Sequence, residues 1–451
     1  MPPRTVTEAR ACAYAVLRRV FEEDAWADRA LHGEAGKLRL DPRDRALATQ
    51  LAYGTVQRLA TLDHLIEEIA ERPVTDIDAP LLAALRLGAF QILFLDRIPP
   101  HAAVGESVEL AKANARAGHG LVNAVLRRLA HEGPARLSRL RDATPEEAAL
   151  RHSHPRWIAD MWWESLGPDA ARALMEADNR PAEAALRVNT LKTTRDEFLA
   201  LLPGEPAPDL PEGVLLTGAF DAFGSREWEE GLFMPQSRAA MAVARLRVQN
   251  AVARVLDPQP GDSVLDLCAA PGGKTTHLAA LMGNQGRIVA VERHEGRAEA
   301  LRRTARRMGA DIVDVRTANA AEPHEPAAYD RVLVDPPCSD LGTLSSRPDA
   351  RWRKHAEDPA RLAGQQATIL RAGLEALKPG GTLVYSTCTI SPQENEGVVE
   401  SVVAGAAGVE VDDLRSDLPV WNHPSVPFFA QTLPHRDGTE GFFIARMRKT
   451  A

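Results

Sequence analysis

Between residues 8 and 130, apolar residues recur at three- and four-residue spacing with little of the two-residue alternation of strands, which predicts a helical bundle. Residues 11–21 form one such stripe and residues 47–69 two more. The stretch from Pro80 to Phe94 starts with a proline in a first-turn position, where its missing N–H costs the helix nothing. Pro99-Pro100 breaks the pattern, and residues 104–113 and 120–129 supply the last helices. Residues 134–180 read as connecting helices, with Pro155 in a first turn and His154 as a cap or packing residue. From 185 to 236 the periodicity shortens. Strands at 186–189 and 213–216, separated by a helix and the proline-rich 203–211, predict a small α+β module. Beyond Gln236, strands at 263–267, 287–291, 312–316, 331–334, 382–386 and 442–447 alternate with helical stretches, the signature of a mostly parallel sheet. The segment 239–255 is long for a single helix leading into the first of these strands. The division expected is 1–140, 141–235 and 236–451.

Length agrees, since 451 residues make about three domains at roughly 150 residues each. The N-terminal stretch has no apolar leader core, and no uninterrupted apolar run approaches the roughly 18 residues of a membrane helix, so no membrane partner and a cytoplasmic location are expected. Four cysteines, at 12, 268, 338 and 388, make no disulfide framework and have no zinc spacing, so no metal is expected. The net charge of −8 argues against coating nucleic acid by bulk electrostatics. Residues 1–140 carry 19 Lys and Arg against 18 Asp and Glu, so the acidic excess lies in the remainder. A nucleic-acid site must then be built from clusters. Two stand out: Arg302, Arg303, Arg306 and Arg307 at helical spacing, and Arg347, Arg351, Arg353 and Lys354. The second, which follows directly on the loop at Cys338, is the better candidate for phosphate contact.

The candidate chemistry lies at strand ends. Val264-Leu265-Asp266-Leu267 runs into Cys268-Ala269-Ala270-Pro271-Gly272-Gly273-Lys274-Thr275 and then a helix, a loop of small residues that lets backbone N–H groups approach a ligand. A nucleotide-phosphate loop fails here, because it needs glycine where Cys268 stands and a donor N–H where Pro271 stands. The alternative is an S-adenosylmethionine site. Glu292, about 25 residues on and ending the next strand, is placed to take ribose hydroxyls. Cys338, in Asp335-Pro336-Pro337-Cys338-Ser339, and Cys388, in Tyr385-Ser386-Thr387-Cys388, follow the fourth and fifth strands. In the doubly wound order 3-2-1-4-5 those strands are neighbours, about 4.8 Å apart, so both thiols would face one crevice beside the first-strand loop.

Several motifs carry family resemblances. Leu85-Arg86-Leu87-Gly88, Ile98-Pro99, Glu106 to Lys112 and Val122 to Arg127 resemble the NusB family of RNA-binding antitermination domains, over most of residues 5–135. The loop 265–275, Asp335 to Ser339, Arg347-Pro348-Asp349, Lys378 to Gly381, Tyr385 to Thr389, Glu394-Asn395-Glu396 and Gly441 to Arg446 resemble the Sun/Fmu family of bacterial small-subunit rRNA cytosine-5 methyltransferases. The resemblance implies a multidomain protein: an all-α NusB-like bundle, a small α+β RNA-binding module and an α/β Rossmann-like class I methyltransferase domain. It implies S-adenosylmethionine as cofactor and small-subunit rRNA, naked or in an assembly intermediate, as partner; the oligomeric state stays open, with a monomer favoured. It makes Cys388 the nucleophile at C6 of cytosine, Cys338 the residue that assists release of the adduct, and Asp335 part of the catalytic or cofactor site. Cys268, Ala269, Ala270, Pro271, Gly272, Gly273, Lys274, Glu292 and Asn319 would line the cofactor. Asn319, in Ala318-Asn319-Ala320, stands where the family has an aspartate, so its contact to the adenine edge would come from an amide. The rivals are a cytosine-5 methyltransferase of tRNA or DNA, the latter attacking through Cys338, and a non-catalytic NusB-like RNA-binding assembly factor.

Overall fold

The computed structural model describes residues 6–450 except 209, 245, 249, 250 and 254, and only the backbone of 246–248 and 251–253. Part of the long segment 239–255 therefore lies outside the described residues. The chain divides into two compact units, Met1–Pro181 with Leu344–Lys354, and Ala182–Thr343 with His355–Ala451. Among the described residues no helix is long and apolar enough to cross a membrane.

Unit 1 is helical: α1 (Glu8–Glu22), α2 (Ala27–Leu38), α3 (Pro42–Gln57), α4 (Leu59–Ala70), α5 (Ala79–Phe94), α6 (Pro100–Asn114), α7 (His119–Arg139), α8 (Pro145–His152), α9 (Arg156–Leu166) and α10 (Pro168–Ala177). Prolines open α3, α6, α8 and α10 in the first turn, and Asp41 caps α3 by accepting from the Asp44 N–H at 2.8 Å. The α2 helix escaped the periodicity because Ala27, Ala30, Leu31 and Ala35 are all it buries. Leu17, Leu51, Leu62, Leu65, Ile66, Leu85 and Leu126 fill the core with almost no exposure. Gly54 lets α3 lie against α5, since a Cβ there would fall 2.0 Å from Phe90 Cζ. His154 is a packing residue as expected, buried with Nε2 3.5 Å from Asp178 Oδ2.

The segment 344–354 corrects the phosphate-contact expectation for two members of the second arginine cluster, Arg351 and Arg353, while Arg347 stays exposed. Arg351 is fully buried in unit 1, donating to the carbonyls of Gln57 (3.3 Å), Ser153 (3.1 Å), Asp178 (3.0 Å) and Leu344 (3.2 Å) and to Asn179 Oδ1 (3.0 Å). Trp352 donates to the Val56 carbonyl at 2.8 Å, and Arg353 pairs with Asp24 at 2.7 Å over the Trp26 ring. A planar guanidinium with five donors can satisfy several carbonyls that helix ends leave unpaired, and Arg351 is used that way rather than on solvent or phosphate.

Unit 2 opens with a four-stranded antiparallel sheet in the order β2-β3-β1-β4, from β1 (Ala185–Val188), β2 (Gly204–Pro206), β3 (Gly213–Leu216) and β4 (Phe233–Pro235). Leu186, Val188, Phe198, Val214 and Phe233 form its small core. A backbone hairpin, β5 (Leu246–Val248) with β6 (Ala251–Ala253), precedes the large sheet. That sheet contains β7 (Ser263–Leu267), β8 (Arg287–Glu292), β9 (Val313–Thr317), β10 (Tyr329–Val334), β11 (Leu377–Thr387), β12 (Val409–Val411), β13 (Ala430–Thr432) and β14 (Phe442–Lys449). Its order is β12-β14-β11-β10-β7-β8-β9, with β13 beside β14. The five central strands are parallel in the expected 3-2-1-4-5 arrangement, and β14 runs antiparallel to β11. Val264, Leu265, Leu267, Val332, Leu333, Val334, Leu383 and Val384 are buried, as the central strands of a sheet covered on both faces must be.

Buried polar pairs join the two sheets of unit 2. His277 meets Glu212 at 2.6 Å, Arg187 donates to Thr276 Oγ1 at 2.8 Å, and Asn189 Nδ2 donates to the Met308 carbonyl at 2.7 Å. From the first arginine cluster, Arg307 lies 3.5 Å over the Trp228 ring and donates to the Trp228 carbonyl, while Arg302 and Arg306 lean on Glu295 and Glu299. That cluster is largely a salt-bridged helix face.

Candidate active site

Register brings the candidate residues to one edge of the large sheet. Leu267 pairs with Val291 and Val334, and Val334 with Tyr385, so Cys268, Glu292, Asp335 and Ser386 leave their strands side by side at the carboxyl ends. In a parallel α/β sheet the ligand crevice lies at this edge, where strand ends and helix N-termini converge.

The loop after β7 turns tightly. Cys268 takes a left-handed φ of 68° and Gly272 one of 103°, and a Cβ on Gly272 would stand 2.6 Å from Leu301 Cδ1, so only glycine lets the loop settle against the helix Glu295–Met308. The Ala270–Pro271 peptide is cis. Below the loop, buried Asp266 accepts from Thr275 Oγ1 at 2.6 Å while its Oδ1 has no hydrogen-bond partner; burial pushes its carboxyl up to about 7, with Thr275 opposing. Glu292 is buried, with Oε1 accepting the His294 N–H at 2.9 Å and Oε2 3.5 Å from Arg297 Nε. Arg297 also donates to the Ala270 carbonyl at 2.9 Å and so spans from Glu292 to the loop. Asn319 uses Oδ1 to accept the Ala321 N–H at 3.2 Å. These residues fit an adenosyl cofactor: a tight small-residue loop at a helix N-terminus, a strand-end carboxylate for paired hydroxyls, and an amide near the next strand end.

Lys274 points at the crevice. Its Nζ lies 2.7 Å from Asp335 Oδ2 and 4.8 Å from the centre of the Phe442 ring. Burial works against the Lys274 charge, but Asp335 outweighs it and holds the ammonium above its ordinary range. Asp335 also accepts from Ser386 Oγ at 3.2 Å, which ties the loop after β10 to the end of β11.

The two thiols meet. Cys338 Sγ and Cys388 Sγ are 3.3 Å apart with no disulfide between them, and Asp340 Oδ1 lies 3.2 Å from the Cys388 sulfur and 3.8 Å from that of Cys338. The hydrogen bond to Cys338, burial, and the nearby Asp340 and Asp335 together hold the Cys388 thiol well above its ordinary range. Cys268 is likewise raised, by burial and then Asp335, and its sulfur belongs to the loop rather than to this pair. Among the described residues, Cys338, Asp340 and Cys388 are the group whose potential metal-ligating atoms stand together, within 4.8 Å of one another.

A buried network fixes the thiol loops, built from residues of the motifs around them and from Gln366, which the sequence did not point to. Glu394 accepts the Ser339 N–H at 2.9 Å, the Ser339 hydroxyl and Gln366 Nε2 at 3.0 Å. Ser339 and Thr389 hydroxyls lie 2.6 Å apart, Gln366 also donates to the Pro337 carbonyl at 2.9 Å, and Tyr385 donates to the Glu394 carbonyl at 2.7 Å. Asn395 holds Thr387 Oγ1 at 2.6 Å and donates to the Thr389 carbonyl at 3.1 Å. Glu394 and Asn395 belong to a family-like motif in the sequence, but Gln366, inside a helix, carries no such signal. Asp340 could have been suspected only from its place two residues after Cys338.

Comparison with known proteins agrees with this architecture. The family described as 16S rRNA methyltransferase RsmB/F matches residues 253–448, the NusB family residues 7–131, and the RsmF/B-like ferredoxin-like domain residues 154–222. The chain is similar to the probable ribosomal RNA small subunit methyltransferase B of Synechocystis, at 35% identity over 98% of this chain and 99% of the relative, and to that of Bacillus subtilis, at 34% over 98% and 99%. It also resembles the crystal structure of PH0851, with a TM-score of 0.81 and 26% identity over 99% of this chain and all of that one. A methyltransferase homologue from Pyrococcus horikoshii matches with a TM-score of 0.58 and 30% identity over 68% of this chain and 99% of that one. With a NusB domain, a ferredoxin-like domain and a Rossmann-like methyltransferase domain in one chain, this protein belongs to the ribosomal RNA small subunit methyltransferase B family.

Proposed function

We propose that this protein methylates C5 of a cytosine in small-subunit rRNA in the cytoplasm, using S-adenosylmethionine, through a covalent bond between Cys388 and C6 of the base. The observation that carries the reading is the pair of unbridged thiols 3.3 Å apart after neighbouring parallel strands, beside a loop suited to an adenosyl group. C5 of cytosine is a weak nucleophile. Addition of a thiol at C6 makes C5 enamine-like, and elimination later frees the enzyme. When bound, S-adenosylmethionine supplies the electrophilic methyl group. The loop 268–274 would hold its amino-acid end, Glu292 its ribose and Asn319 its adenine.

Cys388 is the nucleophile and Cys338 assists release, roles that rest on the family resemblance of the Thr-Cys and Pro-Pro-Cys motifs. Asp335, fixed by Lys274 and Ser386, would border the base and orient its polar edge. A target inside folded RNA must be unpaired or extruded to reach a crevice of this kind. The test is incubation with labelled S-adenosylmethionine and undermethylated small-subunit rRNA, followed by mapping of the label, and trapping with 5-fluorocytosine RNA followed by identification of the attached residue. Label at C5 of one or a few rRNA cytosines and attachment at Cys388 are expected. Label in tRNA would move the substrate, and attachment at Cys338 would reverse the roles of the thiols.

A further inference from the structure

We propose that Asp340 is the proton acceptor for Cys388: its carboxylate takes the thiol proton as sulfur bonds to C6 and returns it when the base is released. The inference rests on the covalent reading above and deepens it. It answers what allows a thiol in this crevice to act, which the sequence leaves open.

The geometry is specific. The hydrogen bonds of the Cys388 sulfur run to two atoms, Cys338 Sγ at 3.3 Å and Asp340 Oδ1 at 3.2 Å. Cys338 is itself a thiol, 3.8 Å from the same oxygen, so a proton on either sulfur faces one carboxylate. Asp335, the other carboxylate of the crevice, takes Lys274 Nζ on Oδ2 and Ser386 Oγ on Oδ1. Asp340 is held in place by its backbone, a left-handed φ of 61° followed by a turn in which its carbonyl accepts the N–H (3.0 Å) and hydroxyl (2.9 Å) of Thr343. Aspartate tolerates that conformation better than most residues. The groups facing Cys388 are Cys338, Asp340, Asp335 and, through its charge, Lys274; their sum disfavours a resting thiolate. Attack must therefore be accompanied by proton removal, and general-base assistance of this kind contributes about 10²–10⁴-fold.

The step balances. The Cys388 S–H bond breaks and the proton goes to Asp340 Oδ1, while a sulfur electron pair forms the S–C6 bond and the C5=C6 pair shifts toward N3. On release the C5 proton leaves, its bonding pair rebuilds C5=C6, the C6–S pair returns to sulfur, and the thiolate recovers its proton from Asp340. The C5 proton is the one lost to solvent per turnover.

The experiment measures the rate of covalent attachment of 5-fluorocytosine RNA at Cys388, between pH 7 and 9, in wild type, Asp340→Asn and Asp340→Gly. Glycine suits the left-handed backbone, so the second variant carries the test should the first fold poorly. In wild type the rate is expected to change by less than about threefold over this range. In both variants it is expected to fall at least about 100-fold at pH 7 and to climb roughly tenfold per pH unit, as the rare thiolate becomes the reactant, with cofactor affinity within about twofold of wild type. Equal rates in all three proteins overturn the proposal. So does a slower rate with the wild-type pH profile, which makes Asp340 a positioning residue. Absence of any adduct at Cys388 in the wild type refutes the covalent reading instead, so the two failures are distinct.

Discussion

At the scale of residues, what stands out is how differently five thiols and carboxylates in and beneath one crevice are treated. Cys388 is closed in beside Cys338 and Asp340, Asp335 is neutralised by Lys274, and Asp266 lies beneath the loop with one oxygen unpartnered. Cys388→Ser is expected to reduce methyl transfer by at least about 10³-fold and to abolish the 5-fluorocytosine adduct. Cys338→Ala is expected to form the adduct but release it slowly, so that protein–RNA conjugate accumulates on denaturing gels. Asp266 carries a stability prediction. Burial pushes its carboxyl up to about 7 in the folded chain, against about 3.8 for a free aspartate, so between those values the native state keeps a proton that the unfolded chain has lost. Stability from this group is fully present below the lower value, declines as pH rises through the interval, and is flat above it. Asp266→Asn, which carries no such proton, should therefore gain in Tm relative to wild type between pH 5 and pH 8; a constant difference across that range would contradict the assignment.

At the scale of elements, the thiol-bearing loops after β10 and β11 are tied together by buried polar groups shared between them. Glu394 alone serves Ser339 and Gln366, so Glu394→Ala leaves buried donors unsatisfied and should destabilise unit 2 by about 2–3 kcal/mol, read as a lower denaturant midpoint. Gly342 accepts from the Gly441 N–H at 2.7 Å and donates to the Cys388 carbonyl at 3.0 Å. A Cβ there would fall 1.9 Å from the Gly441 carbonyl oxygen. Backbone cannot yield as a flexible side chain can. Gly342→Ala should thus cost about 1–3 kcal/mol and, by displacing Cys388, lower kcat more than cofactor affinity. The helices and parallel strands were legible from periodicity: 263–267 is reproduced residue for residue, and the others shift or lengthen at their ends. The short strand β4 and the helix α2 were not, because three residues give no periodicity and small alanines give a weak stripe.

At the scale of the whole molecule, the chain leaves unit 2 after Thr343, contributes Leu344–Lys354 to the helical unit, and returns at His355. Arg351 is the anchor of that excursion. Its ordinary range is lowered to about 10 by burial, and Asp178 offsets part of the cost. Arg351→Met removes donors from four buried carbonyls and should destabilise unit 1 by about 3 kcal/mol, detected as a lower-temperature calorimetric transition and faster proteolysis within residues 1–181. A run of arginine and lysine read along the sequence resembles a phosphate-binding face. Only burial reveals that Arg351 satisfies backbone carbonyls.

The sequence by itself determined the three kinds of folding unit, the parallel strand order and the motifs that carry the family resemblance. It did so because core periodicity and strand-end loops are local properties of the chain. It also brought Cys338 and Cys388 to one crevice, since adjacent parallel strands place their ends together. The tertiary structure decided what spacing cannot encode: which carboxylate each thiol meets, which arginine is buried, and which distant side chains hold the loops. Those are contacts between residues tens to hundreds of positions apart, set by packing and register. Asp340, two residues from Cys338 in the chain, gains its proposed role only from its 3.2 Å approach to Cys388, 48 positions away.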